Sequence, residues 1–226
     1  MSSSKPMGTT EDAGADEDTT RRRRLLRLSA LCGISAPLVF TVILGLAGAL
    51  QPGYNHFTQQ ISELGYTGAA NPAIQNGNFI LTGLLIFAFG VGLQGAFTGK
   101  GTPGRGPRFV IIAGLGFAGA GFFPGNYDSW TGAVHGILFF VAFISFILAP
   151  LLIARKLGSE SYWSRLRPYC QATSIAVTVL FLSFLLLGSQ EALSPWRGVF
   201  QRILVATPLL WVEVMAISLF RAVFRP

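Results

Sequence analysis

Residues 21–50 read RRRRLLRLSALCGISAPLVFTVILGLAGAL, and the fold class turns on this stretch. Arg21 to Arg24 and Arg27 stand before an apolar run, 28–50, that carries no charged residue. At 1.5 Å per helical residue, a run of this length crosses the roughly 30 Å hydrocarbon core of a bilayer. A cleaved secretory leader is the rival reading, on the strength of Arg-Arg-x-Leu-Leu-Arg at 22–27 and Ala-x-Ala at 47–49. The apolar part of such a leader runs only about 7 to 15 residues. An uncleaved first span is therefore the better reading, and cleavage would leave five spans.

Outward from this segment the pattern repeats. Apolar runs at 79–97, 109–123, 132–154, 171–188 and 203–220 are separated by segments holding Gly, Pro, Asn, Ser and most of the charge. The sequence predicts an all-α fold, a polytopic transmembrane helix bundle of six spans forming a single domain over 21–226. The third run is the shortest, a mismatch that tilt or local bilayer thinning absorbs. Residues 1–20 are polar, with too few apolar groups to offset the entropy of ordering, and are expected to form a disordered cytoplasmic tail.

Composition agrees with lipid as the solvent: 51% of the 226 residues are hydrophobic and 12% charged, about half the charged fraction of an ordinary soluble domain. The net charge of +7 does not indicate nucleic acid, because the basic residues flank apolar runs and line no polar face. Two cysteines, Cys32 and Cys170, and two histidines, His56 and His135, offer no metal or redox spacing, so neither a metal nor a cofactor is expected.

Lys and Arg are retained on the cytoplasmic side of a span. Besides the first cluster, Lys100, Arg105 and Arg108 lie between spans two and three, Arg155, Lys156, Arg165 and Arg167 between four and five, and Arg221 and Arg225 after six. The opposite loops hold only Arg197 and Arg202. Both termini are thus expected in the cytoplasm, in a multi-pass protein of a bacterial cytoplasmic membrane. Span three carries Gly114, Gly116, Gly119 and Gly121, which permit close helix approach and suggest a central position for that helix.

Non-basic polar residues gather on the outer side. Residues 56–64 are expected to form an interfacial helix with His56, Gln59, Gln60 and Glu63 along one face. Asn126, Tyr127 and Asp128 follow in the second outer loop, with His135 about one turn inside span four. Arg197, Gln201 and Arg202 lie at the third.

The segment 54–65 (YNHFTQQISELG), the run 123–128 (FPGNYD) followed by His135, and 198–202 (GVFQR) resemble motifs of the domain-of-unknown-function 998 membrane proteins over roughly 28–220. The resemblance implies six-span integral membrane proteins of prokaryotes and no particular reaction. Where it implies an acid directly after Gly125, this chain has Asn126, and Asp128 follows two residues later.

Chemically, Glu63, Asp128 and His135 are candidate acid–base groups, with His56, Gln59, Gln60, Arg197, Gln201 and Arg202 as candidate ligand-binding residues. The arginines would suit an anionic head group, if the groups converge. Glu213, about ten residues into span six, is expected to face the bundle interior in its protonated form, bonded to Thr178, Ser183 or Ser145. A buried acid suits acid-initiated chemistry such as terpene cyclisation, with Trp211, Phe139 and Phe140 as cation-stabilising aromatics. The leading expectation is an acid–base or acid-initiated enzyme acting on a lipid or isoprenoid. The alternatives are a non-enzymatic bundle binding lipid or protein and a proton-coupled transporter. The expected partners are membrane lipids and a hydrophobic small-molecule substrate.

Overall fold

The computed structural model describes residues 10–97, 104–157, 162–187 and 195–223, with side chains in the first segment from 17 onward. Six α-helices follow one another: α1 (Thr10–Ala49), α2 (Pro72–Phe97), α3 (Arg105–Phe122), α4 (Trp130–Lys156), α5 (Arg167–Leu187) and α6 (Arg197–Val223), with short 3-10 helices at Ile61–Gly65 and Tyr162–Leu166. Each helix packs on its sequence neighbours, and α6 returns to α1, so the six close into a ring. One end of the ring carries residues 50–71 and 123–129. The other gathers the starts of α1, α3 and α5.

Five helical segments are long and apolar enough to cross a membrane: Glu17–Ala49, Pro72–Phe97, Trp130–Lys156, Trp163–Leu186 and Arg197–Val223. The chain is a multi-pass membrane protein. α3 falls outside this set because its 18 residues include Arg105, Arg108 and five glycines, which dilute its hydropathy. Those glycines serve packing. A Cβ on Gly114 would meet the Phe87 backbone nitrogen at 2.5 Å and the Gly83 carbonyl oxygen at 2.7 Å, so α2 and α3 touch backbone to backbone. On its other side, Gly116 lies against Leu138 and Ala142 of α4. α3 is thus a close-packed member of the ring and does not occupy its centre.

α1 is longer than the expected span. Its 40 residues extend about 60 Å, twice the hydrocarbon thickness, and helix begins at Thr10, inside the segment expected to be disordered. Once nucleated in the span, a helix adds each further residue at little cost. Residues 1–9 of the expected tail lie outside the described residues.

Large side chains from all six helices fill the ring, among them Phe40, Phe89, Phe117, Phe143, Phe181 and Trp211. Most polar groups described in this core bond to backbone or to one another, while Nε2 of the fully buried Gln75 has no hydrogen-bond partner. Asn78 of α2 donates to the Phe40 carbonyl of α1 (3.0 Å), one turn past Pro37, and Thr82 donates to Asn78 (3.3 Å). Ser174 of α5 donates to the Ile147 carbonyl of α4 (2.9 Å), beside the turn opened by Pro150.

Candidate functional site

The loop 50–71 does not form the expected 56–64 helix. Asn55 Oδ1 accepts from the Phe57 amide (2.8 Å) and Gln59 Oε1 from the Asn55 amide (2.8 Å), closing a local turn that competes with helix. Helical structure starts only at Ile61, where Gln60 and Glu63 form a capping box and Glu63 Oε1 accepts from the Gln60 amide (3.0 Å). Glu63 therefore holds the 3-10 turn, with Gln59 Nε2 at 3.5 Å from its second oxygen.

Arg202 locks this loop to α6. Its guanidinium donates to the carbonyls of Gln59 and Gly198 (2.9 Å each), to the Tyr54 hydroxyl (2.7 Å) and to Nδ1 of His56 (3.0 Å), and lies over the Tyr54 ring. A Cβ on Gly198 would collide with the Gln59 carbonyl oxygen, which explains the glycine where loop and helix meet. Gln201, the next residue around the helix, is buried and accepts from the Ile61 amide (2.5 Å), with Nε2 3.5 Å from the Ser62 hydroxyl. Arg197 is half-buried at the start of α6, its Nε buried without a hydrogen-bond partner. The arginines expected to meet an anion thus face, in the case of Arg202, carbonyls and a phenol.

The second loop joins the first through Asn126, which accepts from the Thr67 amide (3.2 Å) and donates to its hydroxyl (2.5 Å). Asp128 is exposed with φ 58°, a left-handed turn position that aspartate tolerates. Ser129 then caps α4 by accepting from the Gly132 amide (3.0 Å). Nδ1 of His135 lies 3.0 Å from the Ala120 carbonyl oxygen and 2.9 Å from that of Phe123, where α3 ends ahead of Pro124. Two carbonyl acceptors at one nitrogen assign that nitrogen a proton.

These elements line an open cleft of about 580 Å³. Gln60, Ser62, Tyr66, Asn126, Tyr127, Asp128, His135 and Gln201 form its polar rim, and Gly136, Phe139 and Phe184 its apolar side. Behind it, among Phe79, Phe117, Phe139 and Val205, lies a void of only about 10 Å³, about the size of one water. Glu63 lies elsewhere: with Tyr54, Gln59 and Leu64 it lines a second hollow, and Tyr66 and Tyr127 border both. Burial, then its hydrogen bond to Tyr127, raises the Tyr66 pKa far above the phenol range, so Tyr66 keeps its proton. Burial likewise raises Tyr54 against the opposing charge of Arg202. At His56, burial and then Arg202 lower the pKa, in keeping with its acceptor role.

The sequence candidates therefore separate. Gln60, Asp128, His135 and Gln201 share the cleft. Gln59 and Glu63 face the second hollow, and His56 lies with Arg202 at the loop clamp. Glu213 is twelve positions beyond Gln201 on α6, about 18 Å along the axis at 1.5 Å per residue, and approaches Tyr169 of α5. Thr178 and Ser145, offered as its partners, instead donate to the Ser174 and Val141 carbonyls of their own helices. Trp211 is fully buried and donates to Cys170 Sγ (3.4 Å), while Phe140 is exposed beside Phe181. Sequence reasoning missed Tyr66, Gly136 and Phe184. Tyr66 follows directly on the 54–65 motif and could have been included with it.

The model of the family described as protein of unknown function (DUF998) matches residues 34–218, and the chain belongs to that family. Neither the curated proteins nor the solved structures contain a match.

Proposed function

We propose that the protein binds one amphipathic, lipid-like molecule in the cleft between the Ile61–Gly65 turn, α4 and α6. In this reading it is a six-span bundle with both termini in the cytoplasm and the cleft at the outer end. The carrying observation is the cleft itself, whose lining joins a set of polar groups to the apolar side of Phe139 and Phe184. Its volume of about 580 Å³ lies in the range of small-molecule sites, about 300–1,000 Å³. Such a gradient fits a ligand with a polar head and a hydrocarbon tail.

Of the candidate acids only Asp128, an exposed turn residue, lines the cleft with His135, and the two glutamates do not join them. Glu63 is committed to a cap on another hollow, and Glu213 lies about 18 Å down α6 from the rim. Neither stands beside His135, which is held by the end of α3.

The test is photolabelling with a lipid that carries a diazirine in its acyl chain. The label is expected on α4 around Phe139 and on α5 around Phe184. Gly136 lines the cleft and has open space around a built Cβ, so Gly136→Leu should fold normally, fill the cleft and reduce labelling there several-fold. Even labelling of all outward helix faces, unchanged in Gly136→Leu, would overturn the proposal.

A further inference from the structure

Among the described residues that line the cleft there is no lysine or arginine, and the one formal charge is that of Asp128. Arg202, next to Gln201, has its guanidinium occupied by two carbonyls, a phenol and an imidazole, and Arg197, one turn before Gln201, is not among the residues lining the cleft. Among these lining residues a phosphate or carboxylate head would find no cationic partner to offset the water it gives up.

The rim is instead supplied with neutral hydrogen-bonding groups of both kinds. Gln60, Ser62, Tyr66, Tyr127 and Gln201 carry amide or hydroxyl groups, and His135 adds its second ring nitrogen, Nδ1 being engaged at the end of α3. A hydroxyl both donates and accepts, so it is the head chemistry that such a mixed rim satisfies.

We infer that the ligand's head group is uncharged and hydroxyl-bearing, and that the cleft discriminates against phosphate and carboxylate heads. This rests on the cleft being a lipid site, as proposed above, and replaces the anionic head that Arg197 and Arg202 suggest in the sequence.

The experiment compares retention of 1-oleoylglycerol with that of 1-oleoylglycerol 3-phosphate, identical in chain, by the purified full-length protein. Intact protein, Gly136→Leu and Ala133→Lys are measured side by side. Ala133 lines the cleft in the first turn of α4 and is exposed, so a lysine there adds a cation at the rim without repacking the core. The expected result is retention of the uncharged lipid at least tenfold tighter than the phosphate, loss of that retention in Gly136→Leu, and a shift toward the phosphate in Ala133→Lys. Tighter retention of the phosphate that still depends on Gly136 would overturn the head-group inference and leave the cleft as a lipid site. An unchanged preference in Ala133→Lys would likewise remove the charge argument. Retention of both lipids regardless of Gly136→Leu would overturn the cleft reading, and this inference with it.

Discussion

Arg202 stands in a motif that reads as an anion site, yet its charge is spent on holding a loop. A guanidinium at the edge of an apolar ring finds its acceptors in backbone carbonyls and Tyr54, and His56 completes the set through Nδ1. That last bond requires a neutral imidazole. Burial and Arg202 lower the His56 pKa below its ordinary value of about 6.5, so the unfolded loop binds more protons than the folded one. The loop's stability is therefore complete above about pH 6.5 and declines as pH falls through the lowered value. Because His56 is exposed, the effect is local. Proteolytic cleavage within 54–60 should rise as pH is taken from about 7.5 to about 5, and His56→Asn, whose amide oxygen accepts without titrating, should flatten that rise. An equal rise in both proteins would show that another group governs the loop.

At the scale of the helix, the most exacting contact is α2 against α3. Gly114→Val pushes a branched side chain into the Phe87 and Gly83 backbone, which neither helix can yield without moving apart. A loss of about 2–3 kcal/mol is expected, the upper range for overpacking. Gly45→Ala on α1 meets open space and should be neutral or gain up to about 1 kcal/mol of helix propensity. Thermal unfolding of the two variants in detergent would check the contrast, and equal midpoints would contradict the packing described.

The glycine pattern made close approach legible in sequence, but not which neighbours α3 meets, because small residues mark every face they occupy. The helix expected at 56–64 failed for a local reason, since Asn55 and Gln59 satisfy the backbone in a turn before helix can propagate. The buried ladder of Gln75, Asn78 and Thr82 begins ahead of the apolar run at 79–97 that marks the second span in sequence. α2 begins at Pro72, and Gln75 and Asn78 lie fully buried within it. Their three- and four-residue spacing was the available signal.

For the whole molecule, hydropathy alone gave the all-helical, multi-pass character, because lipid leaves helices as the economical way to satisfy a backbone in apolar runs of this length. The closed ring was not legible, nor was the division of the polar candidates among a cleft, a capped loop and a distant Glu213, because convergence depends on loop geometry and helix rotation. The basic residues flanking the helices predict that reporters fused at either terminus, or in 98–103, read as cytoplasmic, and reporters in 66–70 as external. A terminal reporter on the external side would invert the cleft's placement.

The most direct measurement of the central claim is native mass spectrometry of the protein released from membranes in mild detergent, beside Gly136→Leu. The account predicts one tightly retained lipid per chain in the intact protein and its loss in the variant, with both folded. Equal lipid occupancy in the two, or none in either across gentle release conditions, would contradict it.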